Sequence, residues 1–163
     1  MSHENKLVSK RAQSIQQILA EKGLHFEVIE LSTSTRTAID AARAIGCDVA
    51  QIMKSLLFCT EISKQPVLVL ASGINRVNEL NIAQWVGEKI RKADAHFTRE
   101  VTGFAIGGVP PVGHKQTIRH IFIDIDLLNH NVLWAAAGTP NAVFSLSASD
   151  IESLTHGKII AIR

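Results

Sequence analysis

The chain has 163 residues, 46% of them hydrophobic and 20% charged, and a formal net charge of +2, which is typical of a globular protein and not of a disordered one. Its longest apolar run, residues 66–71, is far shorter than the roughly 20 residues of a membrane-spanning helix, and no secretory signal is visible, so we expect a soluble, cytoplasmic protein. The mild positive charge neither requires nor excludes an RNA partner.

The N-terminal half predicts two helices, a strand and a β-hairpin. Apolar residues recur at helical spacing over residues 9–22, with Ser9 as the N-cap and Gly23 as the stop. A strand at 25–31, a polar turn at 32–35 and an Ala-rich helix at 37–45 follow. The β-type runs at 52–60 and 66–72 are joined by a short polar connection, which predicts a hairpin.

The C-terminal half alternates helices and strands around a Gly/Pro loop, residues 103–113. Helices are predicted at 78–86 and 94–101, each opening with an Asn or Asp cap, with a short strand or connector at 89–92 between them. After the loop, strands are predicted at 118–125, 132–136, 142–146 and 158–162. Ser149 and Glu152 form a capping box for a last helix that ends at Gly157.

The order of these elements predicts an α+β fold, a mixed, largely antiparallel curved sheet with helices around it. No repeat or long linker divides the chain, so residues 1–163 are expected to form a single domain with a flexible N-terminus at 1–8. Two cysteines, Cys47 and Cys59, are too few for a disulfide framework, and we expect both to be reduced core residues.

Lys54 stands inside an otherwise apolar strand, Ile52-Met53-Lys54-Ser55-Leu56-Leu57-Phe58. Strand alternation places it on the same face as Ile52, Leu56 and Phe58. An ammonium on an apolar face is costly unless it reaches a carboxylate, a phosphate or water. Lys54 is therefore either a functional cation or a lysine that reaches water from the edge of the sheet.

The segment 102–113, Thr-Gly-Phe-Ala-Ile-Gly-Gly-Val-Pro-Pro-Val-Gly, is the most unusual part of the chain. Its glycines permit a close approach of the backbone, and Pro110 and Pro111 restrict the turn. The remaining N–H groups could converge on a phosphate or on a carbonyl oxygen that develops negative charge. A rigid structural turn is an equally good interpretation of the same residues.

No nucleophilic or metal motif accompanies these features. Neither cysteine has a catalytic context, no serine lies in GxSxG, and the histidines show no HxxxH or HExxH spacing, so we expect no metal or organic cofactor. Two basic clusters could contact phosphates or form ordinary solvated faces, namely Lys89, Arg91, Lys92 and Arg99, and His114, Lys115, Arg119 and His120.

Five segments occur in an order that is specific to one family. They are Thr37-Ala38, Ile52-Met53-Lys54-Ser55-Leu56, Ser72-Gly73 with Asn75-Arg76-Val77, Ala93-Asp94-Ala95, and the segment 102–113. Over about residues 9–162 the sequence resembles the YbaK/EbsC and prolyl-tRNA-synthetase-associated editing family. The resemblance implies that family's fold and an enzyme that deacylates mischarged aminoacyl-tRNA. The implied partners are the 3′ end of the tRNA and a synthetase, and we expect a monomer.

The resemblance also implies roles for individual residues. Lys54 would meet a phosphate at the terminal adenosine and orient the ester, while Gly107 and Gly108 would offer amides to its carbonyl. Hydrolysis would use a water assisted by the terminal hydroxyl of the tRNA, which accounts for the missing protein triad. The implied substrate-binding residues are Ser32, Thr37, Val109, Pro110, Pro111, Gly113 and Gly138.

One position departs from the family's pattern. Prolyl editing domains that remove alanine carry His-Pro where this chain has Gly138-Thr139-Pro140. A glycine there changes the volume of the pocket and removes a ring donor, so the sequence does not predict alanine as the amino acid removed. Two other functions fit the same residues: a non-catalytic module that binds a nucleotide or an aminoacyl-RNA end, and an interaction domain without a functional pocket.

Overall fold

The computed structural model describes residues 10–24, 26–32 and 37–163. Its helices are α1 Lys10–Glu21, α2 Ala38–Ile45, α3 Glu79–Val86, α4 Ala95–Thr102 and α5 Ile151–Thr155. Its strands are β1 Val28–Glu30, β2 Ile52–Thr60, β3 Pro66–Ser72, β4 Ile90–Lys92, β5 His120–Asp124, β6 Val132–Ala136, β7 Ala142–Ser147 and β8 Lys158–Ile160. The predicted cap Ser9, the N-terminal residues 1–8 and most of the predicted turn at 32–35 lie outside the described residues.

The strands form one mixed sheet in the order β1-β7-β6-β2-β3-β5-β8, with β4 pairing to β2 beside this path. The pairs β1·β7, β2·β3, β2·β4 and β6·β7 are antiparallel, and the pairs β2·β6, β3·β5 and β5·β8 are parallel. The predicted mixed, largely antiparallel sheet is confirmed, as is the hairpin of β2 and β3. The longest ladder of the sheet joins β2 and β3, at the centre of the sheet.

Strand alternation separates two buried faces. Met53 and Leu57 of β2 pack with α1, α4, α5 and the Gly/Pro loop, in a cluster that includes Ile15, Val101, Val109 and Leu154. Phe58 packs on the other face with Ile82 of α3. At the same end of β2 as Ile52, the small residues of α2 form a third cluster. The Ala-rich face predicted for this helix lets it pack close to the sheet.

Most predicted helix starts are confirmed by their capping hydrogen bonds. Thr37 Oγ1 accepts from the Asp40 amide at 3.0 Å, the Asn78 side chain accepts from Asn81, and the Asp94 side chain accepts from Phe97. These bonds satisfy amides that the first turn of a helix leaves unpaired.

The predicted capping box of the last helix is wrong. α5 begins after a 3₁₀ turn at Ala148–Asp150, and its N-cap residue is Asp150. The Ser149 hydroxyl instead bonds to the Ser147 hydroxyl at 2.9 Å. The helix ends at His156, which has φ 59°, one residue before the predicted Gly157.

The expectation that both cysteines are reduced core residues agrees with the structure in part. Cys59 is buried, whereas Cys47 is only partly buried beside α2, and both are free thiols. Burial raises the pKa of the Cys47 thiol, and the neighbouring Asp48 raises it further.

No helix of the described part is long and apolar enough to cross a membrane.

Candidate functional site

The sheet divides along one edge of β2. β6 pairs with β2 at residues 52–53, and β4 pairs with it at residues 58–60. Just before the β4 ladder, the Ala93 amide donates to the Leu57 carbonyl at 3.1 Å. In the part of the chain that the structure describes, residues 54–56 are in register with neither strand. The sheet therefore has an opening at the position of the lysine.

Lys54 lies half-buried at this opening. It pairs with Ala71 of β3, and its side chain shares a face with Leu56 and Phe58, as the alternation predicts. Its Nζ donates to the backbone carbonyl of Asn75 at 3.1 Å. The ammonium is therefore held by the turn that follows β3, and it does not extend freely into solvent.

Asn75 is itself fixed by a buried network. Its Nδ2 donates to Asp124 Oδ2 and to Asp126 Oδ2, each at 2.8 Å. Asp124 has no exposed surface, and it also accepts from the Ser72 amide at 3.0 Å. At the outer end, Arg163 contacts Asp126 at 3.2 Å. The network connects the lysine to the end of β5 and to the C-terminus.

The turn that carries Asn75 depends on a close approach at Gly73. A Cβ on this residue would lie 2.4 Å from the Val49 carbonyl oxygen and 2.9 Å from the Ala38 Cβ. The Gly73 amide donates to the Ile52 carbonyl at 2.8 Å. Only glycine fits here without moving α2 or the 3₁₀ turn at Val49–Gln51.

The electrostatic setting of Lys54 favours an anionic ligand. Burial lowers the pKa of Lys54, and the nearby Arg76 lowers it further. Asp124 opposes these effects, while Lys92 adds to them. Like charges that converge on one side chain repel one another, so an anion bound among them would relieve that repulsion.

The Gly/Pro loop is anchored through its apolar side chains. Val109 and Val112 are buried in the cluster that contains Met53, and Pro110 and Pro111 are buried with them. The His114 ring Nε2 donates to the Pro110 carbonyl at 2.7 Å. Burial lowers the pKa of His114, so the ring is neutral at neutral pH.

The tip of the loop is exposed at Ile106 and Gly107. The amide of Gly108 donates to the Ala105 carbonyl at 2.9 Å, which closes the tip as a turn. In this conformation the Gly108 amide serves the loop itself, whereas the neighbouring Gly107 lies at the surface, where a ligand can approach its backbone.

The loop packs against the segment that follows β6. A Cβ on Gly108 would lie 3.1 Å from Thr139 Cα and 3.2 Å from the Gly138 carbonyl oxygen. Gly138 is buried and has φ 100°. Because Ala135 of β6 is in register with Met53, this segment follows directly from the strand beside the opening. The structure thus brings Gly108 and Gly138 together.

The remaining predicted residues, Ser32 and Thr37, lie just after β1 and at the start of α2. Ser32 is exposed and follows Leu31, whose amide donates to the Asn141 carbonyl at 2.7 Å. Ser32 therefore lies next to the segment that contains Gly138. Thr37 is exposed, and its hydroxyl accepts from the first turn of α2 while it keeps its own proton available for a ligand.

Ser55 is a candidate that the sequence alone did not single out. Its Oγ is the one buried side-chain oxygen or nitrogen without a hydrogen-bond partner in the described part of the chain. Alternation turns it away from Lys54, toward the face that holds Met53 and the loop. A buried hydroxyl without a partner is rare, and it points to a water or a ligand group at this position.

Lys54 and the loop approach the opening from opposite faces of the sheet. The lysine lies on the face of Phe58, whereas Val109 and Val112 pack on the face of Met53. A ligand held by both would have to pass through the gap between β6 and β4. Within residues 10–24, 26–32 and 37–163, no group of three His, Cys, Asp or Glu side chains could hold a metal ion.

The family follows from a match over most of the chain. Residues 32–154 match the model of the aminoacyl-tRNA editing domain. The chain belongs to the aminoacyl-tRNA editing domain family. This match confirms the resemblance inferred from the sequence, and it spans β2, the Gly/Pro loop and the segment after β6.

Relatives of this editing domain include both a protein of similar length and parts of larger enzymes. The chain is 29% identical over 133 residues to the uncharacterised protein YwhH of Bacillus subtilis, covering 82% of this chain and 83% of that protein. It is 31% identical over 86 residues to the proline–tRNA ligase of Limosilactobacillus fermentum, covering 50% of this chain and 15% of the ligase. The second likeness concerns one segment of a much larger enzyme.

Solved structures share the fold of this editing domain. One is a crystal structure described as a candidate trans-editing enzyme for prolyl-tRNA synthetase, with 41% identity and a TM-score of 0.90 over 96% of this chain and 99% of that one. Another is the hypothetical protein APE2540, with 25% identity and a TM-score of 0.84 over 91% of this chain and 98% of that one.

Proposed function

We propose that this protein is a trans-editing hydrolase that deacylates mischarged aminoacyl-tRNA. The observation that carries the proposal is Lys54, a half-buried ammonium held by the Asn75 carbonyl at 3.1 Å at the opening of an editing-domain sheet. The likeness to a candidate trans-editing enzyme for prolyl-tRNA synthetase supports tRNA charged by that synthetase as the first substrate to test.

Lys54 would bind a phosphate at the terminal adenosine. An ammonium has three N–H donors, and Asn75 uses one of them, which leaves two for the oxygens of a phosphate. Arg76 and Lys92 increase the positive potential felt by that ligand. Binding of the phosphate would fix the position of the adjacent ester.

Water would attack the acyl carbon, and the bond between that carbon and the ribose oxygen would break. The ribose oxygen takes up a proton, so the products are the free amino acid and an uncharged tRNA. The terminal hydroxyl of the tRNA would assist the water. The protein contributes by orientation and by electrostatic stabilisation of the carbonyl oxygen.

The loop tip would stabilise the negative charge on that oxygen. Because the Gly108 amide donates to Ala105, we assign the donor role to the exposed Gly107, with Gly108 holding the loop against Gly138. Val109, Pro110, Pro111 and Gly113 would shape the wall of the pocket. Ser32 and Thr37 would border it from the side of β1 and α2.

Ser55 extends this proposal to the face of the loop. Its unpaired Oγ would donate to the substrate or hold the attacking water. Gly138 leaves more room than the histidine of alanine-removing relatives, so we propose an amino acid larger than alanine as the preferred substrate.

The deciding experiment is deacylation of a panel of mischarged tRNAs by the wild type and Lys54→Ala in chelator-containing buffer. The panel includes Ala-, Ser-, Cys- and Thr-charged species, with and without prolyl-tRNA synthetase. Turnover of one species by the wild type and its loss in a folded Lys54→Ala would support the proposal. Binding of an acylated RNA end without turnover would favour the non-catalytic module instead.

Lys54→Arg is the matched variant because it keeps the charge and changes the geometry. If a positive charge alone is sufficient, Lys54→Arg should retain the turnover that Lys54→Ala loses. If the Asn75 contact sets the position of the ammonium, Arg restores binding of the tRNA but not the rate of deacylation, since a guanidinium has a different shape and reach.

A further inference from the structure

A groove lies between the end of β2, β4 and the start of α4. Its volume is ≈ 420 Å³, and three of its lining residues are cations, Lys64, Arg91 and Lys92. The other lining residues are Cys59, Ala93, Asp94 and Phe97. The groove is separate from the opening at Lys54, and of its lining residues only Lys92 enters the mechanism proposed above, through its charge.

The groove carries uncompensated positive charge. Its three cations are exposed, and within the described part of the chain none of them makes an ion pair. Asp94 is the single acidic residue of the lining, and its carboxylate accepts from the Phe97 amide at 2.7 Å as the cap of α4. The groove is therefore suited to a ligand with several negative charges.

The positions of these cations are set by the backbone. Arg91 is in register with Cys59, and Lys92 with Phe58, so alternation directs the two side chains to opposite faces of the sheet. Lys64 has φ 56°, a conformation that is costly for a residue with a side chain. Its turn is held by Glu88, whose carboxylate accepts from the Ile62 amide at 2.8 Å and the Ser63 amide at 3.0 Å.

Lys92 connects the groove to the site at Lys54. Its partner Phe58 lies four residues along β2 from the lysine, a distance of about 13 Å in a strand, and on the same face. The charge of Lys92 reaches Lys54, because it contributes to the lowered pKa of that lysine. A chain of phosphates that starts at Lys54 would meet Lys92 next.

We propose that the groove binds the phosphate backbone of the RNA that adjoins the 3′ end, so that the strand runs from Lys54 past Lys92 and then around the edge of β4 to Arg91 and Lys64. The proposal rests on the editing function proposed above. It explains how a protein with a small net charge could hold a polyanion, since the relevant cations cluster around β4, which pairs with β2 beside the main path of the sheet.

The test uses binding of an uncharged RNA hairpin that mimics a tRNA acceptor stem with its CCA end. Fluorescence anisotropy measures its affinity for the wild type and for Lys64→Gln/Arg91→Gln over a series of salt concentrations. The control is Lys10→Gln/Lys22→Gln, which removes the same charge from exposed residues at the two ends of α1, outside the groove. Thermal melting checks that all three proteins are folded.

We expect the groove variant to bind more weakly and with a log–log salt slope that is shallower by roughly 0.7 to 0.9 for each phosphate that the variant no longer neutralises. The control variant should retain the slope of the wild type. Equal reductions of affinity in the two variants would show that affinity follows net charge alone, and unchanged binding in the groove variant would show that RNA does not occupy it. Either result overturns the proposal.

Failure of the groove and failure of the proposed function give different results. The binding assay uses uncharged RNA, so it does not depend on turnover. If the wild type deacylates its substrate and the groove variant binds RNA with unchanged affinity, only the proposal that RNA occupies the groove is overturned. A wild type that binds through the groove and deacylates nothing overturns the proposed function alone.

Discussion

Lys54 Nζ donates to the carbonyl of Asn75 at 3.1 Å, and Asn75 in turn donates to the buried Asp124. The position of the lysine is thus determined by a network that reaches 49 residues along the chain. A ligand that binds Lys54 meets an ammonium that is already oriented, so less conformational entropy is lost on binding.

Removing the Asn75 side chain should destabilise the protein. Asn75→Ala leaves the buried Asp124 and its neighbour Asp126 each without one donor, which we expect to lower the free energy of unfolding by about 2–3 kcal/mol. Urea denaturation measures the change. Asn81→Ala is the control, because its Nδ2 donates to the Ala161 carbonyl at 2.6 Å from an exposed position, and its loss should cost under about 1 kcal/mol. Equal costs would contradict the role of the buried network.

The lowered pKa of Lys54 predicts a pH dependence of stability. Between the folded pKa and the ordinary lysine value of about 10.4, the unfolded chain binds more protons than the folded one, so stability contributed through this group rises with pH. We therefore expect the wild type to gain stability relative to Lys54→Met as the pH rises toward about 10. The free energy of unfolding of both proteins is measured by urea denaturation at each pH. If the difference between them does not change over that pH range, the prediction is contradicted.

Ser55→Ala should separate stability from activity. The Ser55 hydroxyl has no partner, so its removal should leave the free energy of unfolding unchanged or raise it by up to about 1 kcal/mol. If the hydroxyl contacts the substrate, deacylation should slow by roughly tenfold, the equivalent of one hydrogen bond.

Ser72→Ala is the matched control for that experiment. Its hydroxyl donates to the Ala50 carbonyl at 2.8 Å, so the change should cost about 1 kcal/mol of stability. A Ser55→Ala protein that is destabilised as much as Ser72→Ala, with unchanged turnover, would show that Ser55 is structural.

Gly108→Ala should disturb the site more than the rest of the fold. The new Cβ would press on Thr139 and Gly138 at 3.1 and 3.2 Å, so the loop tip must move away from the segment after β6. We expect turnover to fall by at least about tenfold, since a small displacement of a substrate-positioning group has a large effect on rate.

Gly87→Ala provides the comparison for Gly108→Ala. This glycine ends α3 with φ 98° and has open space around its Cβ position, so the change should cost about 1 kcal/mol of stability without affecting turnover. Measurement of deacylation and thermal melting on both variants checks the pair. If both lose stability and neither loses turnover, the loop tip does not position the substrate.

The loop should weaken in acid through His114. Burial lowers its pKa, so below about 6.5 the unfolded chain takes up a proton that the folded protein resists, and stability falls as the pH decreases toward the folded pKa. His114→Gln lacks this titration, and its stability should change less between neutral and mildly acidic pH. Equal acid sensitivity of the two proteins would place the titrating group elsewhere.

Local patterns predicted the elements well where one interaction dominates. The bounds of β2 and β3 agree with the apolar runs, and α2, α3 and α4 follow the caps Thr37, Asn78 and Asp94. The last helix was mispredicted because Ser149 and Glu152 have the right spacing for a capping box. The preceding 3₁₀ turn shifts the start of the helix to Asp150, which no local pattern reveals.

The site was predictable only in its local parts. Lys54 is conspicuous because a lysine interrupts an apolar strand, and the loop is conspicuous because of its glycines and prolines. The partners of the lysine were not predictable, since the parallel pairing of β3 with β5 is what brings Asp124 next to Asn75. The unpaired hydroxyl of Ser55 likewise depends on where β6 ends beside β2.

The division of the sheet also constrains how the protein is assembled during synthesis. The hairpin of β2 and β3 consists of neighbouring segments and can pair early. The outer edge of β2 at Met53 can be paired only after Ala135 of β6 has been synthesised. The hydrogen bond from Asn75 to Asp124 likewise requires that Asp124 has been synthesised. A nascent chain that has left the ribosome only as far as the Gly/Pro loop therefore presents Lys54 without its network and with an uncovered strand edge. The arrangement around Lys54 is therefore completed late, when the C-terminal strands dock.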